Sequence, residues 1–159
     1  MAMKEKLVKV CYENIKKALD KREWTYTQNE EKLLIKFSVY GEDLSSNYYF
    51  SISTEKETVT LTAYLPYRTP RNDTNALAQA IAVANSRFYN GVFEFNPKNR
   101  EVSFRVSTFL LDGMEMSVDA VDYMIDVACD MVDKYDDKLF AVAKGYLSLE
   151  KYIEIITGK

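Results

Sequence analysis

Residues 48–65 read YYFSISTEKETVTLTAYL, two runs of alternating apolar and polar side chains joined by a four-residue link. An alternation with a period of two is typical of strands that bury one face, because successive side chains point to opposite sides of a sheet. The polar link, residues 54–57, is short enough for a hairpin. The stretch therefore predicts two antiparallel strands that turn Phe50 and Leu61 toward the core.

The flanking sequence extends this pair into a sheet with helices. Hydrophobic periodicity predicts a helix over residues 4–21, a strand over 33–39, a helix over 74–89, a hairpin over 93–106, a long helix over 117–144 and a short helix over 149–156. Each predicted strand has one apolar and one polar side, which favours an antiparallel sheet covered by helices on one face only. The predicted fold is α+β, in the order α-β-β-β-α-β-β-α with a C-terminal helical extension.

Proline and cap residues indicate where the third strand ends and the middle helix begins. Pro66 and Pro70 are expected to end the strand, because proline lacks the N–H that a sheet hydrogen bond needs. Asn72, Asp73 and Thr74 are candidate N-cap residues for the helix that follows.

Length and composition favour one domain in the cytosol. A chain of 159 residues with an apolar fraction of 47% can bury a single core. We predict one domain over residues 1–145 and a helical extension over 146–159. The apolar stretches fall far short of the roughly 20 residues that cross a bilayer. The N-terminal segment lacks the apolar run of a secretory signal, so a cytosolic location without membrane contact is expected.

Enzyme chemistry finds little support in the residue types. Histidine is absent, which removes Ser-His and Cys-His nucleophile pairs and histidine-ligated zinc sites. Cys11 and Cys129 lie far apart and are interpreted as buried thiols. The chain has no glycine-rich phosphate loop, GxSxG or HExxH motif. We therefore expect a non-enzymatic protein without catalytic residues, cofactor or metal.

The long predicted helix carries an unusual series of carboxylates. The net charge of the chain is -3, and most of the negative excess lies in residues 112–137. Six aspartates follow each other at spacings of three or four and so share one helix face: Asp119, Asp122, Asp126, Asp130, Asp133 and Asp137.

This acidic face has three interpretations. The first is a solvated surface that keeps the protein soluble. The second is a docking site for a basic partner segment, with Asp126 and Asp133 as candidate contacts. Divalent-metal binding ranks lower, because carboxylates on successive turns of one helix cannot surround an ion, and a ligand from a loop or strand would be needed. The same charge would repel a nucleic-acid backbone, so no nucleic-acid partner is expected.

The polar side of the predicted sheet is the second candidate surface. Alternation places Lys36, Tyr49, Tyr64 and Arg105 on that side, opposite the core. Tyr and Arg are enriched at binding hot spots, which makes these four residues candidate partner contacts. An ordinary solvated face made of good strand formers is the alternative. A third interpretation is that the aromatic side chains stack on the bases of single-stranded RNA, but the net negative charge of the chain argues against it.

A resemblance to a known family covers the middle of the chain. It is carried by the segments Ala84-Asn85, Asn90-Gly91-Val92-Phe93-Glu94-Phe95 and Glu101-Val102-Ser103-Phe104-Arg105, and by Ser117 at the start of the long helix. These residues resemble the YbjN-like family of bacterial sensory transduction regulators, whose fold is that of the type III secretion chaperones. The resemblance implies an acidic cytosolic protein, often a homodimer, that binds protein segments or modulates a regulatory pathway, with no catalytic residues to carry over.

The alanine-rich stretch 74–89 takes the position of the dimer helix in the secretion chaperones. The expected function is therefore a chaperone-like or regulatory protein-binding module that forms a homodimer, with this helix as the first candidate interface and the exposed sheet face as the second. The alternative is a small-ligand or divalent-metal-dependent activity that uses the acidic helix.

Overall fold

The computed structural model of the chain describes residues 2–69, 74–111 and 114–159. Its elements in chain order are α1 (Ala2–Lys21), β1 (Tyr26–Asn29), β2 (Leu34–Tyr40), β3 (Ser45–Ser53), β4 (Thr58–Arg68), α2 (Asn75–Asn85), β5 (Val92–Asn96), β6 (Glu101–Phe109), α3 (Val118–Ala143) and α4 (Leu149–Thr157). Within those residues, no helix combines the length and the apolar character that a membrane span requires.

In the described part of the chain, six antiparallel strands form one sheet in the order β1-β2-β3-β4-β6-β5. The inner face carries the alternate apolar residues, among them Phe50, Leu61 and Phe104, each at most 1% exposed. The helices cover this inner face, and the opposite face is half-buried or exposed along its length. The predicted α+β fold with helices on one face is confirmed.

Two details of the sheet differ from the sequence prediction. Strand β1 was missed because its four residues, YTQN, are half-buried or exposed and show no apolar alternation. Strand β4 does not stop before Pro66 but continues to Arg68. It tolerates the proline because the register with β6 is irregular between Tyr64 and Arg68, so the missing N–H interrupts no regular ladder there. Pro70, Asn72 and Asp73 lie outside the described residues.

The long helix α3 lies across the inner face and centres the core. Its apolar side chains recur every three or four residues and form a seam that is buried from Val121 to Leu139. Ser117 caps the first turn, accepting a hydrogen bond at Oγ from the N–H of Ala120 over 3.1 Å. Acidic residues flank this seam, so the packing of α3 decides which carboxylates reach solvent.

The middle helix α2 divides its alanines between core and surface. Ala80 and Ala84 are fully buried, whereas Ala78 and Ala82 are exposed. The hydroxyl of Tyr152 in α4, itself buried, donates a hydrogen bond of 2.9 Å to the carbonyl of Ala80. Helix α4 therefore packs on one side of α2 and leaves the side with Ala78 and Ala82 open.

Two residues that carry the family resemblance hold α2 to the sheet. The side-chain amide of Asn85 donates to the carbonyl of Phe93 over 3.0 Å and accepts from its N–H over 2.8 Å. Gly91 has φ +81°, and a Cβ there would lie 2.4 Å from Cζ of Phe104. A side chain at position 91 would therefore clash with the core, which explains the glycine at this turn.

Candidate binding surfaces

Five side chains on the outer face of the sheet come from four different strands and lie side by side. The antiparallel register sets Lys36 opposite Tyr49, Tyr49 opposite Thr62, and Thr62 opposite Arg105. Tyr64 reaches diagonally to Tyr49, with ring centroids 5.5 Å apart in an edge-to-face arrangement. We call Lys36, Tyr49, Thr62, Tyr64 and Arg105 the outer sheet patch.

The two positive charges of the outer sheet patch already interact with neighbouring side chains. The ammonium of Lys36 lies 5.4 Å from the ring centroid of Tyr49, a cation–π distance. Arg105 is held by Glu94 on β5, with 2.7 Å from its Nη2 to Oε1 and 3.1 Å from its Nε to the same oxygen. This hydrogen-bonded ion pair raises the pKa of Arg105 above its ordinary value. The patch therefore offers contact area and hydrogen-bonding groups more than net charge.

The exposed fractions show what the patch offers to a partner. Tyr64 is 41% exposed and Tyr49 is half-buried, so part of each side chain is accessible from the solvent side of the sheet. Tyr40, at the end of β2, is 86% exposed. Lys36, Tyr49, Tyr64 and Arg105 thus lie on the solvent side of the sheet, whereas their role in binding stays a prediction.

The N-terminal half of the acidic face on α3 is neutralised by the end of α1. Nε of Arg22 lies 2.9 Å from Oδ1 of Asp122, and its Nη2 lies 2.7 Å from Oδ1 of Asp126. Lys21 approaches Oδ2 of Asp122 to 3.3 Å. Burial alone would raise the pKa of Asp122, but the hydrogen bonds and charges of Arg22 and Lys21 outweigh it and lower that pKa. Asp126, a candidate contact, is therefore paired within the fold.

Asp133, the other acidic candidate, holds the loop between β2 and β3. Its Oδ1 accepts a hydrogen bond of 2.7 Å from the N–H of Glu42. A Cβ on Gly41 would lie only 2.6 Å from the same oxygen, so the loop backbone passes close to α3 at this point. Asp133 thus has a structural partner, and the loop of residues 41–44 is fastened to α3.

Among the residues that the structure describes, Asp136 is the one charged residue that is buried, and it was not among the residues predicted from the sequence. Burial raises the pKa of its carboxyl to about 6, and the negative charges of Asp137, Asp133 and Asp43 act in the same direction. A hydrogen bond from the backbone N–H of Asp137 acts in the opposite direction and lowers the pKa. The spacing held a signal, because residue 136 follows the buried Val132 by four positions and precedes the buried Leu139 by three. A carboxylate buried inside an apolar seam is unusual, because burying a charge costs free energy unless the charge is paired.

The two cysteines offer no reactive thiol. Cys11 is buried and Cys129 is half-buried. Burial raises the pKa of Cys11 to about 12 and that of Cys129 to about 11. Both thiols are therefore protonated at neutral pH, and a protonated thiol is a poor nucleophile and metal ligand.

The chain matches a family model, and its fold matches those of several solved structures. The YbjN family, described as "Putative bacterial sensory transduction regulator", matches residues 12–141. No curated protein matches the chain in sequence. YbjN from E. coli is 10% identical over 84% of this chain and 92% of that chain, with a TM-score of 0.59. The ExsC-ExsE complex includes a chain that is 11% identical over 87% of this chain and 97% of that one, with a TM-score of 0.58. At these identities the structural likeness shows a shared fold.

Proposed function

This chain belongs to the YbjN family, and we propose that it is a non-enzymatic, regulatory or chaperone-like module that binds a protein partner on its outer sheet patch. One observation carries the proposal: the helices cover a single face of the sheet, and the uncovered face presents an edge-to-face pair of tyrosines flanked by Lys36 and Arg105. Tyrosine offers a large contact area with a hydrogen-bonding tip, which is typical of binding hot spots. A related fold occurs in the ExsC-ExsE complex, which supports a protein partner.

The test compares the paired tyrosines with a tyrosine outside the patch. Immobilised chain is exposed to the cytosol of its native cell, retained proteins are identified by mass spectrometry, and their affinities are then measured. Tyr49→Ala and Tyr64→Ala should each weaken binding by about 1 kcal/mol or more. Tyr89→Ala is the matched control, because Tyr89 is fully exposed and lies on the turn after α2. Equal affinities for all three variants would contradict the proposal.

Charge reversal at Asp130 tests the acidic face as the competing surface. Asp126 and Asp133 are less suitable for this purpose, because reversal there would break the contacts with Arg22 and with the loop at Glu42. Asp130 is exposed on the same helix. If Asp130→Lys abolishes binding while the tyrosine variants bind normally, the partner docks on α3 and not on the sheet.

We further propose a homodimer that pairs through the open side of α2. Ala78 and Ala82 are exposed there, and small side chains allow two helices to approach closely. Light scattering should give the mass of a dimer for the wild type and of a folded monomer for Ala82→Trp. Ala80→Trp, at a fully buried position, should unfold the chain and so serves as the contrast. A wild-type monomer at tens of micromolar would contradict the dimer.

Two expectations about organisation also stay proposals. We propose that residues 1–145 are the domain and 146–159 a helical extension, and that the chain works in the cytosol. Truncation after Gly145 removes the buried Tyr152 and should lower stability while leaving the circular dichroism of the sheet intact. Loss of the folded spectrum would show that α4 is an integral part of the domain.

A further inference from the structure

Three carboxylates from two separate elements meet where the loop of residues 41–44 lies against α3. One oxygen each from Asp43, Asp136 and Asp137 lies within 4.8 Å of the others. Asp43 comes from the loop, whereas Asp136 and Asp137 are neighbours on the helix. Like charges this close repel each other, and a positive charge between them would relieve the repulsion.

The buried member of this cluster has a carboxylate oxygen without a partner. The side chain of Asp136 has no solvent exposure, and its Oδ1 accepts a hydrogen bond of 2.6 Å from the N–H of Asp137. Its Oδ2 is buried and finds no hydrogen-bond partner among the described residues. A buried acceptor of this kind carries an uncompensated desolvation penalty, which a ligand at Oδ2 would offset.

The charge within the fold does not neutralise the cluster. Nζ of Lys138 lies 2.9 Å from Oδ1 of Asp137, and the same ammonium also donates to the carbonyl of Lys134. Within the described residues no ion pair reaches Asp43 or Asp136. Three carboxylates thus share one lysine, and net negative charge remains.

We propose that Asp43, Asp136 and Asp137 bind a hard divalent cation, Mg²⁺, Mn²⁺ or Ca²⁺, which ties the loop of residues 41–44 to α3. Carboxylate oxygens are the ligands these ions prefer. Thiolate and imidazole, which suit zinc and copper, are not offered, since the chain has no histidine and both of its thiols are protonated at neutral pH. The loop contributes Asp43, so the ligands do not all lie along one helix face.

The loop holds Asp43 near α3 before any ion binds. The N–H of Glu42 donates to Asp133, and the N–H of Gly41 donates to the carbonyl of Leu44 over 3.0 Å. A cavity of about 240 Å³ beside the loop is lined by Asp136, Asp133 and Ser46, whose buried hydroxyl also lacks a partner among the described residues. There is room for water ligands, which Mg²⁺ in particular retains when proteins bind it.

The test is cation-dependent stability of the whole chain after treatment with a chelator. Mg²⁺, Mn²⁺ and Ca²⁺ are each titrated from about 0.1 to 10 mM, the range in which weak carboxylate sites fill, against sodium chloride at equal ionic strength. At least one of these ions should raise the melting temperature by about 3–6 °C near saturation. Electron paramagnetic resonance of Mn²⁺ should count one bound ion per chain.

Single substitutions locate the site. Asp43→Asn changes an exposed loop residue and should reduce the melting shift to less than half while leaving the fold intact. Asp136→Asn should remove the shift. Asp119→Asn is the matched control, because it removes one carboxylate from an exposed position of the same helix that does not line the cavity, and it should keep the full shift.

Three outcomes overturn the proposal: no shift with any of the three ions, a shift that sodium chloride reproduces, or an equal shift in wild type and Asp43→Asn. The last two would assign the response to general screening of the acidic helix. The Tyr49→Ala variant should respond to the cation like wild type, so failure of the cation site and failure of partner binding on the sheet are distinguishable.

Discussion

The two halves of the acidic face on α3 have the same residue type at the same spacing and opposite surroundings. In the N-terminal half, Asp122 and Asp126 are bound by the guanidinium of Arg22. In the C-terminal half, Asp137 and its buried neighbour Asp136 meet a further carboxylate, Asp43. The first half is neutralised by the fold itself, and the second is left with excess negative charge.

The difference teaches that the role of a charged stripe is decided by what packs against it. The helix pattern alone makes all of these aspartates equivalent. Helix α1 ends beside the first half and brings two cations, whereas the loop between β2 and β3 lies beside the second half and brings acidic residues. The neutralised half is therefore expected to stabilise the fold, and the uncompensated half to respond to ions.

The largest expected effect comes from removing the guanidinium that neutralises the first half. Arg22→Ala deletes two ion pairs, a hydrogen bond to the carbonyl of Asp122 and the stacking on Trp24 at 5.2 Å. The free energy of unfolding, measured with urea, should fall by about 2 kcal/mol, because the pair with Asp122 is mostly buried. Lys17→Ala, at an exposed position on α1, should change it by less than about 0.5 kcal/mol. Equal losses would mean that the two halves do not differ.

The neutralised half should also lose its stabilising effect in acid. The folded pKa of Asp122 is lowered, so the unfolded chain takes up the proton first as the pH falls. The stabilisation is complete above an unfolded pKa of about 4 and is lost as the pH falls through the folded pKa. Asp122→Asn should cost about 1 kcal/mol at pH 7 and progressively less as the pH falls below about 4. Urea unfolding of both proteins across this pH range measures the difference, and a constant difference would contradict the pairing.

A smaller effect is expected where the loop touches the second half. Gly41→Ala places a Cβ 2.6 Å from Oδ1 of Asp133 and 3.0 Å from the carbonyl of Leu44. The variant should lose about 1 kcal/mol of unfolding free energy, because the loop or the aspartate must shift. The same substitution in an Asp133→Ala background should cost clearly less, because only the contact with the carbonyl of Leu44 remains, and a double-mutant cycle measures the difference. Additive losses would show that the loop does not depend on Asp133.

Most of the fold could be predicted because its signals are local. Period two in the strands, the heptad-like seam of α3 and the cap at Ser117 are all contained in short windows, and the structure has them where they were expected. Strand β1 was missed because an edge strand of four residues buries too little to show a pattern. The continuation of β4 past Pro66 depends on an irregular register with β6, which lies about forty positions away in sequence.

The candidate sites could be predicted only in part, for the same reason. The alternation of side chains within each strand was enough to place Tyr49, Tyr64 and Arg105 on the outer face. The ion pair between Arg105 and Glu94, in contrast, depends on the pairing of β5 with β6, which the sequence does not show. The partners of Asp126 and Asp133 come from elements about ninety or more positions away. No window of sequence contains both sides of such a contact, so a stripe of free carboxylates was expected where the fold has two different environments.

The smallest predicted effect concerns Asp130, which lies between the two halves. It is exposed, follows Asp126 by four positions and precedes Asp133 by three, so it faces like charges on both sides. Asp130→Asn should therefore stabilise the fold, by about 0.3–0.5 kcal/mol at low salt, and the gain should vanish near 1 M salt as the repulsion is screened. Urea unfolding at the two ionic strengths measures both values. Asp119→Asn is a control at the start of the helix, where a carboxylate favours the helix dipole, and it should be slightly destabilising. If both substitutions change the free energy of unfolding in the same direction, repulsion between aspartates does not distinguish the middle of α3 from its ends. The division of the acidic face into two halves would then have no electrostatic basis.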